Sequence, residues 1–453
     1  MNFILVPLHT DTLDTSSYSD NTYFYVYAAF FNVLLAYGME TAFFRFFSKN
    51  QNKQAVFSTA LISLTTTTVA IITTILLFSD QLAGVVNLRQ DYFNYLIGVL
   101  ALDALVVVPF AYLRATGKPI MFTAIKLTNI VIYITLNFFF LWAIPKFSLD
   151  VSGYNSNDIV KYIFIANLVA SAATFLLLSP YFFRYKLIFD VDILKKMLTY
   201  AWPIMVAGLA YVINENFDKW LIPDVLGKDI NGAYAGCYKL AVFMTIFIQA
   251  FRLGAEPFFF NHAKEKNAKQ TYALIMKYFV VFGCSMLLFI IAFIDIFKVL
   301  IVRDEAYWLA LDIVPIVLLA NLFLGIYFNL AIWYKLTDKT HFGMYISVIG
   351  AFITIVLNIL LIPKIGFMAA AWTTLIAYAT MMIISYILGQ KHYKVPYNIR
   401  RIILYLAVVI ILSTLSYIKL KGNYYLSITL LLSFITFILI LEHKELKQLL
   451  KKI

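Results

Sequence analysis

The chain has 453 residues, 62% hydrophobic and 13% charged, with a formal net charge of +12 and a mean hydropathy of +0.83. Soluble domains run at ~45–50% apolar and ~25% charged residues, and their surface still has to face water. This composition excludes a cytosolic enzyme, a nucleic-acid binder and a disordered chain. It predicts an all-α polytopic membrane protein, each helix needing about 20 apolar residues to cross about 30 Å of hydrocarbon.

In chain order, residues 1–8 are apolar but too short to span, and they lack the basic start and cleavage site of a signal peptide. They read as the tail of a first helix whose beginning is missing. Apolar runs suited to spanning follow near 23–44, 56–78, 92–113, 123–143, 159–179, 197–214, 233–260, 273–294, 311–332, 344–362, 369–389, 402–420 and 425–441. With the first helix completed, the expected total is fourteen.

Lys and Arg alternate between loops. One set of loops, including Arg45, Arg114, Arg184, Lys186 and Lys335, carries 23, and the opposite set carries 10. The positive-inside rule then places the C-terminus in the cytoplasm and the acidic segment 9–20 outside. Cys237 and Cys284 lie in apolar runs, which argues against a disulfide framework. The five histidines make no metal spacing, and no phosphate-binding glycine motif is present. No cofactor and no enzymatic activity are expected.

Three short matches recur in order at nearly one offset. Gly38-Met-Glu40 returns as Gly254-Ala-Glu256 after 216 residues, while Arg114-Ala-Thr116-Gly-Lys118 and Leu136-Asn137 return as Lys335-Leu-Thr337-Asp-Lys339 and Leu357-Asn358 after 221. This predicts two six-helix lobes of the same orientation, 1–196 and 197–390, followed by a helix pair and tail at 391–453.

Charges inside spans are costly and therefore mark functional candidates. On a helix of ~100° per residue, Tyr234, Tyr238, Thr245, Gln249, Arg252 and Glu256 share an arc of about 60°. Such a face lines a hydrated path or a polar helix contact. Arg252 and Glu256 can equally neutralise each other at a structural contact. On the preceding helix Tyr200, Tyr211, Asn214 and Asp218 share a stripe, with Glu215 and Lys219 beside it. Glu40 and Arg45 suit a gate or lobe interface. Asp103, eleven residues before Arg114, is either a coupling-ion site or a partner for a cation elsewhere.

The stretches Tyr37–Phe46, Leu113–Pro119, Trp202 to Lys219 and Tyr234 to Phe259 resemble the Wzx-type polysaccharide-biosynthesis flippases of the multidrug/oligosaccharidyl-lipid/polysaccharide exporter superfamily. The resemblance covers nearly the whole chain. It implies a fourteen-helix flippase of a bacterial inner membrane. Its cargo would be a polyprenyl-diphosphate-linked oligosaccharide, such as an O-antigen, capsule or exopolysaccharide repeat unit, moved by alternating access. A V-shaped cavity lined by helices 1, 2, 7 and 8 is implied as well.

On that reading Arg252 engages the diphosphate, helped by Lys239 or Arg45. Gln249, Tyr238, Asn214 and Tyr211 offer hydrogen bonds to sugars. The implied partners are the lipid-linked cargo, membrane lipids, a coupling ion (H+ or Na+), and the polysaccharide polymerase and glycosyltransferases of the same pathway. Three alternatives stand beside it: a cation-coupled multidrug exporter of the same superfamily, a lipid II flippase, and a membrane polymerase or ligase.

Overall fold

The computed structural model describes residues 3–263, 265–337, 339–419 and 422–450. Lys264, Lys421, Lys451 and Lys452, counted above among the loop cations, and Asp338 of the repeat lie outside them. No strand occurs among the described residues. The helices are α1 (Val6–Thr12), α2 (Thr15–Lys49), α3 (Lys53–Leu77), α4 (Gln90–Ala115), α5 (Pro119–Phe147), α6 (Val160–Tyr181) and α7 (Val191–Leu226). They continue as α8 (Lys228–His262), α9 (Ala268–Ala292), α10 (Glu305–Leu336), α11 (His341–Ile365), α12 (Met368–His392), α13 (Ile399–Lys419) and α14 (Tyr424–Leu450). Thirteen of them, α2 to α14, are long and apolar enough to cross a membrane. The thirteen apolar runs fall on them in order, and this is a multi-pass membrane protein.

Local chemistry sets the starts and breaks. Asp14, Asn52 and Asp190 cap α2, α3 and α7, each side-chain oxygen accepting a backbone N–H of the first turn. In α2, Tyr37 and Gly38 adopt φ of +31° and +74° and interrupt the helix. A five-residue π turn, Phe139–Ala143, precedes Pro145 in α5, whose missing N–H disturbs the ladder there. In α8 a 3-10 turn occupies Lys239–Ala241. Short helices at Ser79–Val85 and Ile294–Ile301 follow α3 and α9, a further correspondence between the halves.

By packing, the chain divides into two compact units, residues 1–235 and 236–453. The repeat division expected at 196/197 differs from this, because α7 packs against α2 and α3. Trp220 of α7 donates its indole N–H to the Tyr27 hydroxyl at 2.5 Å, and the Tyr23 hydroxyl donates to the Trp220 carbonyl at 3.1 Å.

In the first unit α4 packs on α6 and α6 on α5; in the second α10 packs on α12 and α12 on α11. These are corresponding helices of the two halves. The innermost ones correspond too: 67% of the apolar window is buried in both α4 and α10, against 17% in α14.

The second unit holds its last two helices by charge. Lys277 of α9, 6% exposed, reaches the fully buried Glu442 of α14 at 2.5 Å and also pairs with Glu445. Arg401 of α13 meets Glu442 at 2.7 Å, and the Tyr405 hydroxyl donates to the same carboxylate. Removing one member of such a set leaves an uncompensated charge in a low-dielectric site. Glu442→Ala should therefore cost about 3 kcal/mol, read as a lower unfolding temperature in detergent. Arg401→Ala, whose side chain is 35% exposed, should cost clearly less.

The repeated glycines differ in kind. A Cβ on Gly38 would sit 2.5 Å from the Ala201 carbonyl oxygen, and its positive φ strains any side chain; at Gly254 nothing lies within 4 Å. Gly38→Ala should destabilise the protein by roughly 2–4 kcal/mol. Gly254→Ala should be neutral or slightly stabilising in the same unfolding assay.

Candidate functional site

The repeated motifs meet within each unit. In the second unit, Glu256 of α8 accepts from the Lys335 ammonium of α10 at 2.6 Å and from Arg252, one turn earlier, at 3.4 Å. The Arg252 guanidinium lies 4.1 Å from the centroid of the Phe328 ring. All three charged side chains are about one-third exposed (31%, 37% and 27% for Arg252, Glu256 and Lys335). The short contact to Lys335 satisfies the carboxylate. Among the described residues Arg252 keeps most of its planar fork of donors, and the three side chains together carry one net positive charge.

In the first unit the corresponding carboxylate, Glu40 of α2, pairs with the corresponding cation, Arg114 at the end of α4. Arg114 also lies over the rings of Phe44 and Phe122, 4.7 and 5.3 Å from their centroids. The turns carrying the two cations share two hydrogen bonds. Thr116 bonds back to the Tyr112 carbonyl at 2.8 Å and Thr337 to the Trp333 carbonyl at 2.9 Å. The Lys118 and Lys339 amides donate to Leu113 and Tyr334 at 2.9 and 2.8 Å. The third repeated element diverges. Asn137 is buried and bonded to His9 at 3.0 Å and to the Tyr133 carbonyl at 2.8 Å. Asn358 is buried with neither side-chain polar atom bonded to a described residue.

The other candidates separate into three places. Asp218 is 3% exposed and paired with Lys219 at 3.1 Å, and it accepts from the Tyr234 hydroxyl. Lys219 also donates to the Glu215 carbonyl oxygen at 2.8 Å. Asn214 and Tyr238 are buried, Lys239 is half-buried on the 3-10 turn, and Tyr211 is exposed. Gln249 is exposed, and Thr245 accepts from Asn321 at 3.4 Å. Arg45 stacks over Tyr200, 4.2 Å from its centroid.

The single polar arc expected on α8 is thus divided. A 3-10 turn advances ~120° per residue rather than ~100°. Three such residues displace Tyr234 and Tyr238 by about 60° from Thr245, Gln249, Arg252 and Glu256.

Asp103 lines a polar cavity of about 330 Å3 inside the first unit, together with Glu40, Lys126, Asn129 and Asn167. Its carboxylate accepts from the Ser171 hydroxyl at 2.8 Å. Asn129 donates to Thr174 at 3.0 Å and Asn167 to the Tyr25 hydroxyl at 3.3 Å. No group of three potential metal ligands occurs among the described residues.

Sequence reasoning missed Lys335 as the partner of Glu256, and Arg114 as the partner of Glu40. The signal was present: a carboxylate and a cation each recur at nearly one offset. Half-exposed ion pairs of this kind are worth about 0.2–1 kcal/mol. A double-mutant cycle on Glu256→Gln and Lys335→Gln, read by unfolding temperature, should return a coupling in that range. The exchange Glu256→Lys with Lys335→Glu should recover most of the loss from either reversal alone.

Comparison with known proteins gives two family matches. The family described as polysaccharide biosynthesis protein matches residues 1–255, and that described as MatE matches residues 203–360. Comparison with the curated proteins returns no match. Among solved structures, the lipid II flippase MurJ in an inward closed conformation is similar with a TM-score of 0.75 at 15% identity, covering 98% of this chain and 97% of the other. An inward-facing multidrug resistance MATE family transporter of the MOP superfamily gives a TM-score of 0.67 at 13% identity, covering 89% and 94%. The Vibrio cholerae MATE transporter VcmN in the bent form gives 0.58 at 14% identity, covering 89% and 94%. These likenesses establish a shared transporter fold.

Proposed function

Because the chain belongs to the polysaccharide biosynthesis protein family, within the superfamily that also holds the MATE transporters, we propose that it is a flippase for a polyprenyl-diphosphate-linked oligosaccharide. It works in a bacterial inner membrane with its C-terminus in the cytoplasm, moving the cargo to the outer leaflet by alternating access. The observation that carries this reading is the surplus cation at Arg252. A diphosphate cannot enter hydrocarbon unless its charge meets a cation in a hydrated site. An arginine already held in place over Phe328, and only loosely committed to Glu256, meets that need with a bidentate donor pair.

Gln249, exposed on the same stretch of α8, supplies hydrogen bonds to sugars. The Glu40–Arg114 and Glu256–Lys335 pairs act as matched latches that yield as the conformation changes. Cargo arrives from glycosyltransferases and leaves to a polymerase.

The test uses the full chain in proteoliposomes with a fluorescent polyprenyl-diphosphate oligosaccharide and follows its leaflet exchange. Arg252→Ala should lower the rate about ten- to a hundred-fold, the worth of a charge-assisted hydrogen-bonded contact. Arg252→Lys should retain a substantial part. Equal rates in both variants would overturn the role of the cation.

A second reading, a cation-coupled exporter of small molecules, is favoured by the buried polar cavity around Asp103 and by the MatE match. It predicts transport of a small cationic dye that fails in Asp103→Asn. Absence of oligosaccharide flipping together with such dye transport would decide for it.

A further inference from the structure

A second cavity of the first unit plays no part in the reading above. It is a groove of about 800 Å3 between α3 and the end of α6, well within the ~300–1,000 Å3 of ligand sites. Leu61 and Ile62 of α3 and Phe175 of α6 form its walls. Arg184 and Lys186, from the segment that joins α6 to α7, line its rim, and no acidic side chain lines it. Two other cavities of this unit lack that combination. The one around Asp103 carries both signs of charge, and the one beside Trp220 carries none.

The rim is built rather than incidental. The Lys186 carbonyl accepts from Ser58 at 3.0 Å and from Gln54 at 3.2 Å, and the Asp190 amide donates to Thr59 at 3.0 Å. The Tyr185 hydroxyl sits 3.2 Å from that of Tyr112, over whose ring Arg184 also lies at 5.4 Å. The segment is thereby fastened along the first two turns of α3. Meanwhile Phe183 and Leu187 stand 88% and 65% exposed, side chains that only hydrocarbon can cover comfortably.

We infer that this groove holds an anionic phospholipid of the surrounding leaflet, its phosphate engaged by Arg184 and Lys186 and one acyl chain laid along Leu61, Ile62 and Phe175. Two cations without an acid select an anionic headgroup over a zwitterionic one. Apolar walls select a lipid over free phosphate. A basic pocket between helices, placed by the Lys and Arg bias on the cytoplasmic side, is where anionic lipids are most concentrated. The proposal does not depend on the cargo: it concerns a lipid that stays, whether the protein flips an oligosaccharide or exports a small molecule.

The test places a reporter in the groove of the full chain. Phe183→Trp is reconstituted in vesicles of phosphatidylcholine with increasing dibrominated phosphatidylglycerol, and separately with dibrominated phosphatidylcholine. Quenching of the added tryptophan, taken as the difference from the parent chain, reports occupancy. The brominated anionic lipid should reach half-quenching at about five-fold lower mole fraction per engaged cation. Arg184→Gln with Lys186→Gln should abolish the preference, and Arg184→Lys with Lys186→Arg should keep it.

Both side chains are exposed, and the hydrogen bonds at Lys186 run through its carbonyl, so the substitutions leave the fastening intact. Each single Gln variant, with its own expected partial loss, serves as a check. Equal quenching by the two lipids, or a preference that survives the double Gln variant, would overturn the proposal. So would displacement of the brominated lipid by millimolar inorganic phosphate, or by polyprenyl diphosphate at equal mole fraction; the latter would mark the groove as a cargo site.

Discussion

Hydrocarbon tolerates neither an open backbone hydrogen bond nor a lone charge, and that constraint organises this chain from end to end. The first demand makes every span a helix and allows interruptions only where neighbours can satisfy the freed groups. The second sorts the ionisable residues inside spans into sets. Asp218 with Lys219 is matched and deeply buried, and Lys277 and Arg401 are matched by the buried Glu442 together with Glu445. Among the described residues Arg252, Glu256 and Lys335 form an unmatched set, partly open, with one cation in excess. Matching ties structure together. The excess leaves one cation uncommitted among these side chains.

The two halves of the chain solve one packing problem twice and then diverge. Each places its fourth-helix counterpart, α4 or α10, deepest, and each closes a carboxylate on a cation at the end of that helix. Divergence appears where one copy has met a neighbour that the other lacks. Gly38 is wedged against the Ala201 carbonyl and breaks α2, whereas Gly254 faces open space within a continuous helix. Asn137 found His9 as a partner, while Asn358 did not. The repeat is therefore a shared arrangement of contacts rather than a shared set of side chains.

How much of this could be read beforehand follows from the same physics. The thirteen spans were legible because an uninterrupted apolar run of such length has no other use. Their ends were less so. The run expected at 197–214 extends as Val191–Leu226, since Asn214, Asp218 and Lys219 look like a terminus in sequence, yet Asp218 is satisfied by Tyr234 and by Lys219. The carriers of the site, Arg252 and Glu256, stood out because charge in a span is rare. Their third member did not, because Lys335 sits at the end of α10, where a loop cation is ordinary. Helical periodicity failed on α8 for a local reason: nothing in Lys239-Leu240-Ala241 announces a tighter turn, and three residues of it rotate everything beyond.

The cluster around Lys277 has a bearing on how the protein is made. Lys277 and Glu442 are 165 residues apart in the chain. At ~5–20 residues per second, α9 is synthesised roughly 10–30 s before its buried counter-ion exists. Through that interval a lysine rides in a membrane helix whose insertion it disfavours by about 3 kcal/mol. The apolar remainder of α9 has to carry it, or the nascent helix has to wait beside the insertion machinery until α13 and α14 arrive. Closure of the second unit is thus deferred until α13 and α14 have been made.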